Sequence, residues 1–385
     1  MIIAQGKNKI KLNTKMLTRH GIIAGSTGSG KTVTLQVIVE NLSKNSIPVF
    51  MADIKGDLSG IAYPGKDTKI KERAKTLKIN NFEFESYPVV NWDVYGKSGN
   101  IIKTTLSRLG INNISKMLDL TNTQEGVLYQ IFKIAKDNSI DIRNTNDLIS
   151  LINYIVKNAD KYEEKYGKIS KVSYSTLQRS LIAFEESGNE VLFDVYNNVF
   201  DIQNFIKVDE NNKGTINILD ATKLINSPKV YSTFMLWLLN ELFLTLPEVG
   251  DIQKPKIVFF FDEAHLLFKN TSKMLEEQIE KLVKLVRSKG VGVFFITQNP
   301  ADIPESILSQ LGNRVQHSMR CFTPKEQKAV RAISQTFRTS FAYNVENIIT
   351  NLGIGEALVS FLDNNGIPEY VQQANIYPPR SRIGV

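Results

Sequence analysis

The sequence predicts an α/β fold, a mainly parallel sheet flanked by helices, with a mostly helical stretch inserted into it. Three observations carry this. Near-continuous apolar runs recur at 21–24, 47–52, 215–219, 257–261 and 291–296, the pattern of strands covered on both faces. Helical stretches stand between them, an alternation that favours a parallel sheet. The first run leads into Gly25-Ser-Thr-Gly-Ser-Gly-Lys-Thr32, which has the G-x-x-x-x-G-K-[ST] spacing of a phosphate-binding loop between a strand and a helix.

Composition narrows the class. Lys and Arg number 47 against 39 Asp and Glu, a net charge of +8, which favours polyanionic partners, nucleic acid first. A single cysteine, Cys321, excludes an internal disulfide and a cysteine metal site and fits a reducing compartment. The apolar start Met1-Ile-Ile-Ala4 is too short for a signal peptide. The stretch Val230–Leu246 is interrupted by Ser232, Thr233, Asn240 and Glu241 and falls short of the roughly 20 apolar residues of a span. It reads as a buried core helix, with no membrane association and a cytoplasmic location expected.

Taken in order, residues 2–4 and 10–12 pair as a hairpin around Gly6-Lys7-Asn8. Lys7, Lys9, Lys11 and Lys15 make it basic, either a solvated edge or a contact for a polyanion. In the loop, Gly25, Gly28 and Gly30 permit tight turning and close approach. The peptide N–H groups of Ser26, Thr27, Ser29 and Val33 belong to the same concave anion site. Lys31 supplies a point charge for the β- and γ-phosphates and Thr32 a hydroxyl for Mg²⁺. The second apolar run ends in Asp53-Ile-Lys55-Gly-Asp57, at the strand end where doubly wound sheets bind ligands. These residues either face the nucleotide or form a turn with a helix cap.

Residues 88–95 read as a further short strand. From 102 to 206 the pattern is helical, at 114–120, 124–136, 146–157 and 175–186, with a capping box expected at Ser175-Thr-Leu-Gln178. This stretch offers no metal-ligand spacing and no nucleophile–base pair. The expected division is therefore 1–101 and 207–385 as two halves of a nucleotide-binding core, with 102–206 as a helical insertion. A helix at 274–289 carries Leu275, Ile279, Leu282 and Val286 on one stripe.

The strand 257–261 runs into Asp262-Glu263. Beside a phosphate loop, Asp262 would hold Mg²⁺ through water and Glu263 would polarise the attacking water. The following Ala264-His265 spells D-E-A-H without the companion motifs of the helicases known by that string. Gln298, ending the next strand, has an amide able to bond both γ-phosphate and water. In 311–322, Arg314, Gln316, Ser318 and Arg320 alternate with Val315, Met319 and Cys321. The two arginines either reach a phosphate on a neighbouring subunit or lie solvated on an edge strand. His317 reads as a packed core histidine, and with only His20 and His265 besides, a histidine metal site is not expected.

These residues resemble a known group. Arg19-His20 before the phosphate loop, Asp53-Ile-Lys-Gly-Asp57, Asp262-Glu263-Ala-His265 and Thr297-Gln-Asn-Pro300 look like the HerA–FtsK superfamily of P-loop ATPases. Arg287-Ser-Lys-Gly-Val-Gly292 and Gln310-Leu-Gly-Asn-Arg-Val-Gln-His317 look like its bacterial HerA-like, YjgR-type branch. The resemblance implies a RecA-like core, ATP and Mg²⁺ as cofactors, ATPase and helicase-like or translocase activity, and a homo-oligomer, typically a hexamer, around DNA. It assigns Lys31 and Thr32 to nucleotide and metal (Walker A) and Asp262 and Glu263 to metal and general base (Walker B). Gln298 becomes the sensor, Arg19 an arginine near the nucleotide of its own chain, and Arg320 or Arg314 the finger reaching the next subunit. The family's translocases carry an N-terminal β-barrel that docks a nuclease, whereas 24 residues precede Gly25 here. A nuclease or another protein is an expected partner, and an ATP-driven switch acting on a protein without moving DNA is the alternative. A small-molecule kinase is a third class, for which the helical stretch shows no acceptor pocket.

Overall fold

In the computed structural model, residues 1–193, 200–268, 273–339 and 343–384 are described. The strands are β1 (Ile2–Gln5), β2 (Lys9–Lys11), β3 (Gly21–Ala24), β4 (Val49–Asp53), β5 (Val89–Asp93), β6 (Asn100–Ile101), β7 (Ile216–Asp220), β8 (Ile257–Phe261), β9 (Val291–Thr297), β10 (Asn313–Gln316), β11 (Glu356–Ser360) and β12 (Gln372–Ile376). The helices begin with α1 (Lys31–Lys44), α2 (Thr68–Thr76), α3 (Leu106–Leu109), α4 (Ile111–Met117), α5 (Asn122–Asp137), α6 (Thr145–Lys157), α7 (Ala159–Tyr166) and α8 (Lys171–Glu186). They continue with α9 (Pro228–Thr245), α10 (Lys273–Val286), α11 (Glu305–Leu308), α12 (Pro324–Ser334) and α13 (Val345–Asn351).

The chain divides into two compact units. One holds Met1–Asn91, Ile202–Pro228 and Leu238–Val385, the other Trp92–Asp201 and Lys229–Trp237. In the first unit the sheet runs β2-β1-β12-β11-β10-β3-β9-β8-β4-β7 and then β5. β10, β3, β9, β8, β4 and β7 pair in parallel. β11, β12, β1 and β2 continue antiparallel on one side.

The apolar runs of β3, β4, β8 and β9 are buried along their whole length, as strands covered on both faces must be. Phenylalanines tie neighbours together. Phe50 on β4 stacks on Phe259 of β8 with centroids 4.6 Å apart, and Phe261 on β8 stacks on Phe295 of β9 at 5.7 Å. Gly21 opens β3 where Phe294 fills the space, and a Cβ there would lie 2.3 Å from the ring. β2, at the sheet edge, carries the exposed Lys9 and Lys11.

The second unit is helical apart from β6, where Asn100 pairs with Trp92. Leu128 and Ile131 of α5, Ile152 and Ile155 of α6, and Tyr174, Leu177 and Leu181 of α8 are buried. The expected capping box at Ser175 is corrected. α8 starts one turn earlier, its N-cap being Ser170, whose hydroxyl accepts from Ser173 N–H. Capping boxes occur instead at Thr121–Gln124 and Thr323–Glu326. α7 lies in a charged stretch where no helix was expected. In α10, Ile279, Leu282 and Val286 are buried as the stripe requires, while the Leu275 side chain lies outside the described residues. Among the described residues no helix is long and apolar enough to cross a membrane.

Candidate functional site

The site lies at the carboxyl ends of the parallel strands. β3 leads into the glycine loop and the loop into α1. Gly25 has φ +151° and Gly30 φ +112°. A Cβ on Gly25 would lie 2.5 Å from His317 Cβ, and one on Gly30 3.2 Å from the Gly355 nitrogen, so both positions need glycine. His317 forms the floor. It is fully buried, donates Nδ1–H to the Glu356 carbonyl at 2.9 Å and accepts the Thr34 hydroxyl at Nε2 at 2.7 Å. It is therefore a packed structural histidine, as expected.

The loop is held from outside. Gly25 N–H donates to Thr297 O at 3.3 Å, Ser26 N–H to Ser318 O at 2.8 Å, and Gly355 N–H to Ser29 O at 3.1 Å. These clamps join backbone groups of segments far apart in the chain, which residue identity alone does not reveal. Lys31 Nζ donates to the carbonyls of Gly25 at 2.6 Å and Ser26 at 3.0 Å. Burial pulls its pKa below the ordinary lysine value, against the charges of Glu263 and Asp262. Thr32 and Val33 sit in the first turn of α1, where helix N–H groups have no intrahelical acceptor.

Asp262 and Glu263 follow β8. Glu263 takes a left-handed conformation, φ 45° and ψ 48°, which is uncommon without glycine and typical of functional turns. Asp262 Oδ1 accepts Glu263 N–H at 2.9 Å. Burial pushes the Asp262 carboxyl up to about 6. Glu263 takes Lys55 Nζ at 2.8 Å, and Gln298 Nε2 at 3.2 and 3.4 Å on its two oxygens. Burial alone would raise the Glu263 pKa; Lys55 and Gln298 outweigh it and hold the group below its ordinary value. Gln298 Oε1 in turn accepts the Thr27 hydroxyl at 3.2 Å, so one amide links the phosphate loop to the carboxylate.

The Asp53 carboxylate is taken up within its own turn. It accepts the N–H groups of Gly56 at 2.7 Å, Leu58 at 3.0 Å, Lys55 at 3.2 Å and Asp57 at 3.3 Å. It caps the turn from which Lys55 reaches Glu263. The sequence placed Lys55 near the site but not on the base, because that contact depends on β4 lying next to β8.

The arginines separate. Arg19 stands before β3, its carbonyl accepting Gly312 N–H ahead of β10 and its charge felt by Arg287 ahead of β9. Those are the amino ends of parallel strands, roughly 15 Å from the loop at strand rise, so the expected position near its own nucleotide is corrected. β10 ends at Gln316, yet the expected alternation continues past it, with Val315, His317 and Met319 buried and Arg320 exposed. β10 lies between β3 and β11 and is no edge strand. Arg314 is half-buried, with Nε on Leu311 O at 3.1 Å and its terminal nitrogen on Leu308 O at 3.3 Å. Arg320 is exposed, and its peptide N–H donates to Ser26 Oγ at 3.3 Å. Only Arg320 is brought to the phosphate loop of its own chain.

The donor set fits a nucleoside triphosphate with a divalent cation. The glycine cradle, the free N–H groups of the first helical turn and Lys31 suit phosphate oxygens. A carboxyl as buried as Asp262, at the end of β8, suits a cation that favours its charged form.

Comparisons with known proteins agree with this geometry. The DNA double-strand break repair helicase HerA of Saccharolobus solfataricus is 24% identical over 362 residues, covering 92% of this chain and 64% of its own length. A probable helicase of Methanocaldococcus jannaschii is 23% identical, covering 91% of this chain and 62% of its own length. The chain thus spans somewhat under two thirds of these relatives. Among solved structures, the conjugative coupling protein TrwB with ADP and Mg²⁺ superimposes with a TM-score of 0.64 at 14% identity, covering 98% of this chain and 91% of its own. VirB4 of Thermoanaerobacter pseudethanolicus reaches 0.59 at 16% identity, covering 98% and 96%. These likenesses establish the RecA-like P-loop fold. The family described as helicase HerA-like C-terminal matches residues 2–385, and the chain belongs to that family.

Proposed function

We propose that this chain is an ATP-hydrolysing motor of the HerA type. In this reading it assembles as a ring of six in the cytoplasm, works on DNA, and acts with a nuclease or another protein. Residues 1–101 and 207–385 are the halves of its core and 102–206 a helical insertion. One observation carries the reading: the phosphate loop, Asp262, Glu263 and Gln298 meet at one end of the sheet, with Gln298 bonded to both Thr27 and Glu263. The relatives named for DNA break repair, and the coupling protein solved with ADP and Mg²⁺, support it.

Lys31 and the N–H groups around Gly28 to Thr32 hold the β- and γ-phosphates. Thr32 and Asp262 hold Mg²⁺, which when bound offsets charge developing on the phosphate oxygens. Glu263 takes a proton from the attacking water, a contribution of about 10²- to 10⁴-fold. Gln298 orients that water and senses the γ-phosphate. Arg320 supplies a guanidinium to the transition state, an effect of about 10³- to 10⁵-fold where such fingers act.

The test is ATP turnover with and without duplex DNA as salt is raised. DNA stimulates turnover at low salt, and the stimulation fades as counterions compete. Lys31→Ala loses nucleotide binding. Glu263→Gln binds ATP with turnover reduced by the factor above, and unreduced turnover removes Glu263 from its role. Full basal hydrolysis indifferent to DNA at low salt turns the reading toward the protein-directed switch.

A further inference from the structure

Two large apolar side chains stand in water beside the phosphate loop. Phe322 is 82% exposed and Ile354 78%. Neither is on a loose segment. Phe322 N–H and Thr323 N–H both donate to Glu326 Oε2 at 2.8 Å, the capping box that starts α12. Gly353 N–H donates to Glu356 Oε2 at 2.9 Å, and Arg73 holds the Gly355 carbonyl at 3.0 Å. Each loop is bonded to the phosphate loop, through Ser318 and Arg320 to Ser26, and through Gly355 to Ser29. A ring bound against Phe322 and Ile354 would remove this apolar surface from water, which is favourable.

The sheet order says which part of a nucleotide comes here. The general base and the sensor lie at the ends of β8 and β9, on one side of β3, and mark the γ-phosphate end of the site. The loops bearing Phe322 and Ile354 leave β10 and enter β11, on the other side of β3. A triphosphate seated on Lys31 with its γ-phosphate toward Glu263 directs its nucleoside toward β10 and β11. We infer that Phe322 and Ile354 form the platform for the nucleobase, Phe322 by stacking on its face and Ile354 by apolar contact. This rests on the reading of the loop as a nucleoside triphosphate site. Stacking uses the π-face that every base has, so the platform accepts purines other than adenine.

Binding of ATP, GTP and inorganic triphosphate, each with Mg²⁺, to the full chain by calorimetry tests this. Phe322→Ala should weaken ATP and GTP about tenfold and leave triphosphate unchanged, while Phe322→Trp restores nucleotide affinity. Phe322 is exposed, so the variants fold. Equal weakening of ATP and triphosphate overturns the platform, as does unchanged ATP affinity. A change of oligomeric mass with ATP affinity per chain unaltered also overturns it and gives the patch to a neighbouring copy. If wild type binds triphosphate and ATP equally, the platform fails while the phosphate loop stands. If it binds neither, the nucleotide reading itself fails.

Discussion

At the level of single residues, the contact that most shapes the site is the one between Lys55 and Glu263. A general base must be unprotonated to act, and in this burial its pKa would otherwise climb. The ammonium 2.8 Å away prevents that. Lys55→Met should therefore bind ATP normally but need a higher pH for turnover. The acid limb of its kcat profile should move up by about one unit or more, the effect of a lost opposite charge. An unmoved limb with lowered kcat would make Lys55 a structural contact only. The phosphate loop, Asp262, Glu263 and Gln298 were legible in the sequence, because each is a residue type fixed to the end of an apolar run. Lys55 on the base and His317 under the loop were not, because both depend on which strands become neighbours. Arg19, assigned by the resemblance, lies instead at the opposite end of β3 from the loop.

At the level of elements, β3 is the piece everything else is fitted to. Gly21→Ala would press a methyl group into the Phe294 ring and within 2.8 Å of the Asn313 carbonyl. Overpacking of this kind costs about 3 kcal/mol, readable as a large fall in Tm. His20 precedes β3, buried, with Nδ1 accepting Val293 N–H at 3.1 Å. Burial lowers the pKa of both His20 and His317 to about 4, from an ordinary 6.5. The unfolded chain thus takes up protons that the folded chain refuses. Stability is full above about 6.5 and declines as pH falls toward about 4. Denaturant midpoints measured across that range should fall with pH, and the fall should shrink in His20→Asn. The central strands and α1 were plain from their apolar runs and glycines. The end of β10 was not, since the inward alternation of Val315, His317 and Met319 runs on past Gln316, where the strand pairing stops.

For the whole molecule, the open point is which chain receives Arg320. Its peptide group rests on the phosphate loop of its own chain while its side chain is free in solvent. Glu263→Gln and Arg320→Ala, each inactive alone, should regain turnover when mixed if the guanidinium serves a neighbour. They should stay inactive if it serves its own site, and mass measurement with ATP and DNA shows whether the mixture assembles. The order of the sheet also bears on how this protein is made. β3 emerges long before its partner strands: β9 lies 273 residues away at the His20–Val293 bond, and β1 must wait for β12. Contacts so distant in sequence slow folding. On the ribosome, the phosphate loop is translated well before its walls, so the nascent protein cannot hold nucleotide until β8, β9 and the segments bearing Ser318 and Gly355 have emerged.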